Sequence, residues 1–173
     1  MLPAAPWRTA LLAVLTLAAL ASRTAIPLDE TRYLAVAWEM WQRGDFLVPF
    51  RNGEVYSHKP PLLFWLIHAG WASFGVNDVW PRLVAPICAL ATLHLTRRIA
   101  AELWPQAPWR AERAAWMLLG CLLFALFAEA LMFDMLLAAC VALGILGLAI
   151  ASNGRARNRA SAMSCLRRFT SHR

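Results

Sequence analysis

The chain has 173 residues, 60% of them hydrophobic and 16% charged, with a formal net charge of +7, a mean hydropathy of +0.50 and a pI near 10.3. Those figures exclude an ordinary soluble domain and make a membrane the natural solvent. The basic residues flank apolar runs and build no binding face, which argues against a nucleic-acid partner.

A spanning helix needs roughly 20 mostly apolar residues. Four runs come near that length, at about 7–26, 83–99, 114–132 and 135–151. The expected fold class is therefore an all-α membrane protein with about four transmembrane helices. Residues 1–151 make one membrane module, and 152–173 are a basic, disordered tail. The first run has a rival reading as a secretory signal peptide, because Arg8 precedes an apolar core and Ala19-Leu20-Ala21 resembles a cleavage site. Arg23, Ile26 and Leu28 extend past that site and three further runs follow, so a span is the preferred reading.

Between the first two runs, residues 27–82 hold most of the acids, and function is sought there. Pro27-Leu28-Asp29-Glu30 predicts a helix start, with Asp29 able to cap the backbone N–H groups of the next turn. Tyr33, Ala37, Met40 and Trp41 then fall on one side, giving a short amphipathic helix that rests on the membrane. Arg43-Gly44 ends it, glycine supplying a left-handed stop. An Asn52-Gly53 turn between two short extended pieces brings the chain back toward the helix start. Segment 60–75, PPLLFWLIHAGWASFG, is too short to span comfortably and is expected to lie in the interface, with Trp65 and Trp71 at headgroup level.

The stretch 114–151 is interrupted only by Glu129 and Asp134. It is too long for one crossing, so it reads as a helical hairpin turning near Phe133, with both acids at one membrane face. Four crossings put Arg8, Arg97, Arg98, Arg110, Arg113 and the six arginines of 154–173 on one side, which the positive-inside rule makes cytoplasmic. Cys88, Cys121, Cys140 and Cys165 are too widely spaced for a disulfide framework or a metal knuckle.

The returning loop carries Lys59, the single lysine beside sixteen arginines. Its return lets Asp29, Glu30, Arg32 and Lys59 share one small site at the membrane surface. Those residue types suit transfer of a sugar from a lipid phosphate, where the leaving group is already adequate. Arg32 and Lys59 can neutralise the phosphate, as a fork and a point charge. Asp29 can deprotonate the incoming hydroxyl as general base, and Glu30 can orient it or the acceptor.

The pattern DETRYLAVAWEMWQRGDFLVPFRNGEVYSHKPPLLFWL, followed by FGVNDVWPRL, resembles the N-terminal part of membrane glycosyltransferases related to the aminoarabinose transferase of lipid A and to protein O-mannosyltransferases. The resemblance runs over about 27–98 and continues more loosely to 151. It implies a GT-C-like multi-span fold with interfacial helices in the first outer loop, and a polyprenyl-phosphate-linked sugar as donor. By that resemblance Asp29 matches the catalytic carboxylate, Arg32 and Lys59 match residues that hold the carrier phosphate, and Asp134 matches a second functional acid. The family places a glutamate before the lysine where this chain has His58, the one histidine near the chemistry, so the need for a divalent metal stays open. Family members are several times longer, which leads us to expect a truncated, even inactive, member on the bacterial inner membrane.

Each of these residues also has a simpler use. Asp29 can be only a cap, Arg32 a lipid-phosphate contact, Lys59 a snorkelling anchor, and Glu129 and Asp134 acids of a turn among headgroups. His68 and His94, on apolar helices, are expected to be structural. The competing function is a small non-enzymatic membrane protein, an assembly or lipid-binding subunit.

Overall fold

The computed structural model describes residues 6–22 and 30–170, with side chains described over 7–22 and 30–154. In chain order these form α1 (Pro6–Ser22), α2 (Glu30–Arg43), β1 (Phe50–Arg51), β2 (Glu54–Val55), α3 (Leu62–Phe74), α4 (Val79–Leu103), α5 (Pro108–Leu119), α6 (Leu122–Glu129) and α7 (Phe133–Thr170). Helix α4 is the centre: it packs against α1, α3, α5, α6 and α7. Just ahead of its N-cap Asp78, the Asn77 side-chain oxygen accepts the Trp80 N–H at 2.8 Å and so satisfies one of the helix's first N–H groups.

Two ends of the bundle can be told apart by their contacts. At one end Glu112 of α5 pairs with Arg8 of α1 at 2.8 Å and with Arg97 of α4. There too, Asn153 of α7 donates to the Glu102 carbonyl at 2.8 Å. At the other end Arg82, near the start of α4, donates to the Ala19 carbonyl of α1 at 3.1 Å. Hence α1 and α5 run antiparallel to α4, whereas α7 runs parallel to it. Arg8 and Arg97 share one end, as the charge pattern predicts.

Among the described residues, two helices are long and apolar enough to cross a membrane, Val79–Leu103 and the Phe133–Gly154 part of α7. A third crossing is present if α5 and α6 form one span bent by 67°. The run expected as one crossing over 114–132 is thus divided. Gly120 and an extended Cys121 interrupt it, since glycine holds a helix weakly. Helix α1, which covers the described part of the first run, is 17 residues long, and the run's continuation lies outside the described residues. The expected turn near Phe133 is present, with α7 beginning there after an extended Ala130. Helix α7 continues to Thr170, through the stretch whose composition suggests disorder.

The segment between α1 and α4 is folded onto this bundle. On α2, Glu30, Tyr33, Val36, Ala37 and Met40 are buried, at the spacing that marks one helix face. That face packs on α3, which buries Leu63, Phe64, Ile67 and Trp71 in turn. Here the structure differs from the expected interfacial anchors. Trp65 stays outside, its indole donating to the Phe46 carbonyl at 2.6 Å, but Trp71 is 4% exposed and donates to the Asn77 carbonyl. Gly70 permits the close approach of α4: a Cβ there would lie 1.8 Å from Nε1 of Trp80, which donates to the Leu66 carbonyl at 3.0 Å.

Candidate active site

Helix α2 begins at Glu30, and Asp29, the expected general base, lies outside the described residues. Glu30 is 1% exposed, and its Oε1 accepts the Leu131 N–H at 2.7 Å. This carboxylate therefore ties the start of α2 to the extended break between α6 and α7. Arg32 is half-buried, with its Cζ 5.3 Å from the Tyr33 ring centroid. The Tyr33 ring in turn meets Phe133 nearly at right angles, centroids 5.1 Å apart.

Lys59 reaches the same place from the loop. Strands β1 and β2 pair antiparallel about Asn52 (φ 54°) and Gly53 (φ 84°), the left-handed pair that an Asn-Gly hairpin turn requires. The turn is held to α2 by Glu39, whose Oε1 accepts the Gly53 N–H at 2.9 Å and Nη2 of Arg43 at 2.8 Å. Burial of the Glu39 carboxyl acts to raise its pKa, but the Gly53 and Asn52 N–H groups and Arg43 outweigh that and hold it below the usual value. Below the hairpin, buried Tyr56 donates its N–H to the Pro49 carbonyl and packs against exposed His58. Exposed Lys59 then places Nζ 5.5 Å from the Phe133 ring centroid. Phe64 of α3 meets that ring from another side, at 5.6 Å.

Phe133 is thus the junction of α2, the returning loop, α3 and the start of α7. Asp134 follows it, exposed in the first turn of α7. Of the expected site residues, Glu30, Arg32, Lys59 and Asp134 all lie on segments that meet here. The positive end of the α7 dipole adds to the field of the two cations. The arrangement can bind an anion beside a carboxylate.

Other expected residues lie elsewhere. His58 has an aromatic neighbour, and among the described residues no group of three or more His, Cys, Asp or Glu side chains is placed to hold a metal ion. His68 is structural. It sits among Trp41, Phe46 and Trp71, and because a carbonyl only accepts, its Nε2 donates to Ala37 O at 2.9 Å. Burial lowers its pKa, against the opposing pull of that hydrogen bond. Exposed His94 donates its Nδ1–H to the Leu90 carbonyl of its own helix at 3.0 Å. Glu129 accepts from the Thr16 hydroxyl at 3.0 Å and helps line an apolar cavity of about 640 Å³ between α1 and α6. Sequence reasoning missed Phe133 as a site residue, although it stands beside Asp134 in the predicted turn.

The fold and the loop arrangement between α1 and α4 define a class, the multi-pass membrane proteins of GT-C architecture. The crystal structure of ArnT from Cupriavidus metallidurans bound to undecaprenyl phosphate has the same fold, with a TM-score of 0.70 and 25% identity over 79% of this chain and 25% of that one. By sequence the chain is similar to the undecaprenyl phosphate-alpha-4-amino-4-deoxy-L-arabinose arabinosyl transferase of Pseudomonas savastanoi pv. phaseolicola, 36% identical over 76 residues, which is 44% of this chain and 14% of that protein. The Photorhabdus laumondii transferase of the same name is 34% identical over 76 residues. An uncharacterized protein of Aquifex aeolicus is 35% identical over 78 residues, of which the chain covers 16%. The chain therefore matches only 14–16% of the length of these sequence relatives and a quarter of the ArnT chain. No family model matches it.

Proposed function

We propose that this chain carries the donor-phosphate side of a glycosyltransferase site that moves a sugar from a polyprenyl-phosphate carrier to a lipid, glycan or protein hydroxyl. Arg32 and Lys59 hold the phosphate, and Asp134 is a second acid at the same junction. Asp29 accepts the acceptor's proton as the hydroxyl oxygen bonds to the anomeric carbon while the carbon–oxygen bond to phosphate breaks, and the carrier leaves as its monophosphate with the bonding pair. The observation that carries this reading is the approach of Arg32 and Lys59 to one aromatic cluster at the head of α7. A relative of the same fold bound to undecaprenyl phosphate supports the choice of ligand.

The site faces the extracytoplasmic side of the bacterial inner membrane, and four crossings over about 7–26, 83–99, 114–132 and 135–151 leave both termini, and the tail of 152–173, in the cytoplasm. The shared end of Arg8 and Arg97 supports that orientation. The test is sugar transfer in membranes containing the chain, from a radiolabelled polyprenyl-phosphate sugar. Asp29→Asn is expected to lower kcat by about 100-fold or more, the range of a lost general base. Lys59→Met is expected to raise the donor KM about tenfold or more, as loss of a charge-assisted contact does. Transfer unchanged by Asp29→Asn removes it as the base. Carrier binding without any transfer points to a lipid-binding subunit.

A further inference from the structure

We infer that Phe133 is a platform that positions the Lys59 ammonium, and that Glu30 acts as a positioning residue by pegging the platform in place. The consequence for carrier binding rests on the reading above, whereas the geometry does not.

Lys59 is exposed, and an unrestrained lysine carries roughly 2 kcal/mol of rotamer entropy. Its backbone is restricted, since Pro60 follows it and disfavours helical geometry at residue 59. Its side chain has the Phe133 ring, with Nζ 5.5 Å from the centroid, inside the reach of a cation–π contact. The contact can orient the amine only if the ring is itself fixed. Phe133 is 8% exposed and is held near-perpendicular to two buried rings, Tyr33 and Phe64, at interplanar angles of 81°.

The ring stands at the very start of α7, just after a non-helical break in which the Met132 N–H donates to the Ala130 carbonyl at 2.8 Å. Ala130 sits at φ −95°, ψ 132°, and α7 starts only at Phe133. Two residues before the ring, Leu131 is fully buried and gives its N–H to Glu30. A carboxylate acceptor in a buried site makes a strong hydrogen bond, and its removal strands a buried N–H. Glu30 thus governs where Phe133 stands, and Phe133 where Lys59 points. Glu30 acts as an acceptor toward Leu131, a task that a neutral amide oxygen also performs, through a weaker bond.

The single lysine makes the test direct. Reductive methylation with ¹³C-formaldehyde keeps the charge on Lys59 and gives it one side-chain NMR resonance, separate from that of the N-terminal amine, in the full chain in detergent. In the native chain, ring current from Phe133 is expected to move that resonance away from the position of an exposed dimethyl-lysine. Phe133→Leu returns it there, Phe133→Trp keeps it displaced, Glu30→Ala returns it, and Glu30→Gln keeps it. Titration with farnesyl monophosphate, followed by the same signal, is expected to show affinity about 3- to 10-fold weaker in Phe133→Leu and Glu30→Ala, the range of one cation–π contact. A native resonance at the exposed position, or one indifferent to Phe133→Leu, overturns the platform. Loss of the displacement in Glu30→Gln as in Glu30→Ala overturns the role given to Glu30. If the resonances behave as expected and farnesyl monophosphate moves none of them, the platform stands and the phosphate-binding reading fails.

Discussion

Replacing Glu112 by alanine tests how the bundle is held at its arginine-rich end. The side chains of Arg8, Arg97 and Glu112 are 6%, 19% and 25% exposed, so one carboxylate serves two largely desolvated guanidinium groups. At an effective dielectric near 20, each attraction is on the order of 4 kcal/mol. Desolvation of all three groups and repulsion between the arginines offset most of that gain. Removing the carboxylate leaves both cations buried with the offsetting costs still present. The expected loss is about 3 kcal/mol, the low end for a broken buried pair because Glu112 keeps some contact with solvent. For a chain of this size that corresponds to a fall in Tm of roughly 6–12 °C.

A thiol-reactive dye in detergent can read the loss. Cys88 is buried, while Cys121 and Cys140 are exposed. A background with Cys121, Cys140 and Cys165 changed to serine therefore reports unfolding through Cys88 alone. Replacing Arg8, Arg97 and Glu112 together by Met, Met and Leu is expected to recover most of the stability. A Glu112→Ala chain within about 2 °C of the parent would refute the reasoning, since this change is small against the shift expected of a lost buried pair.

Two further outcomes follow from the outer loop. Gly70→Ala drives a methyl group into the Trp80 indole and breaks its bond to the Leu66 carbonyl, so stability should fall by about 2 kcal/mol or more in the same dye assay. His68 has a folded pKa below its unfolded value, so the unfolded chain binds the extra proton. Its contribution is complete above the unfolded value, about 6.5, and declines as pH falls through that value toward the lower folded one. His68→Gln should flatten the pH dependence of Tm in that window, and an unchanged slope would contradict the assignment.

Legibility followed the range of the interactions. The Asn52-Gly53 hairpin, the stop at Gly44 and the apolar face of α2 depend on neighbours a few residues apart, and each was readable. The turn before Phe133 was readable because two acids interrupt an apolar stretch too long for one crossing. Composition does not distinguish a helix covered by lipid from one covered by protein, so Trp71, expected at a headgroup, instead packs against Trp38 and Trp41 of α2 and donates to the Asn77 carbonyl. The 67° bend between α5 and α6 has only Gly120 as a local sign, a residue that straight helices also tolerate. At the site, residue chemistry selected Arg32 and Lys59. The aromatic ring beneath Lys59 is hidden because Phe133 reads as one more apolar residue at the end of a run. The anchoring use of Glu30 depends on a partner from a distant part of the chain.

That last bond also sets a schedule. Glu30 and Leu131 are 101 residues apart, so the hydrogen bond between them waits for everything between to be synthesised. At translation rates of about 5–20 residues per second, the wait is roughly 5–20 s. Through that interval the outer loop emerges without the support of α6 and α7, and its cations lack the ring that orients them. The site is therefore completed only when α7 arrives to close it.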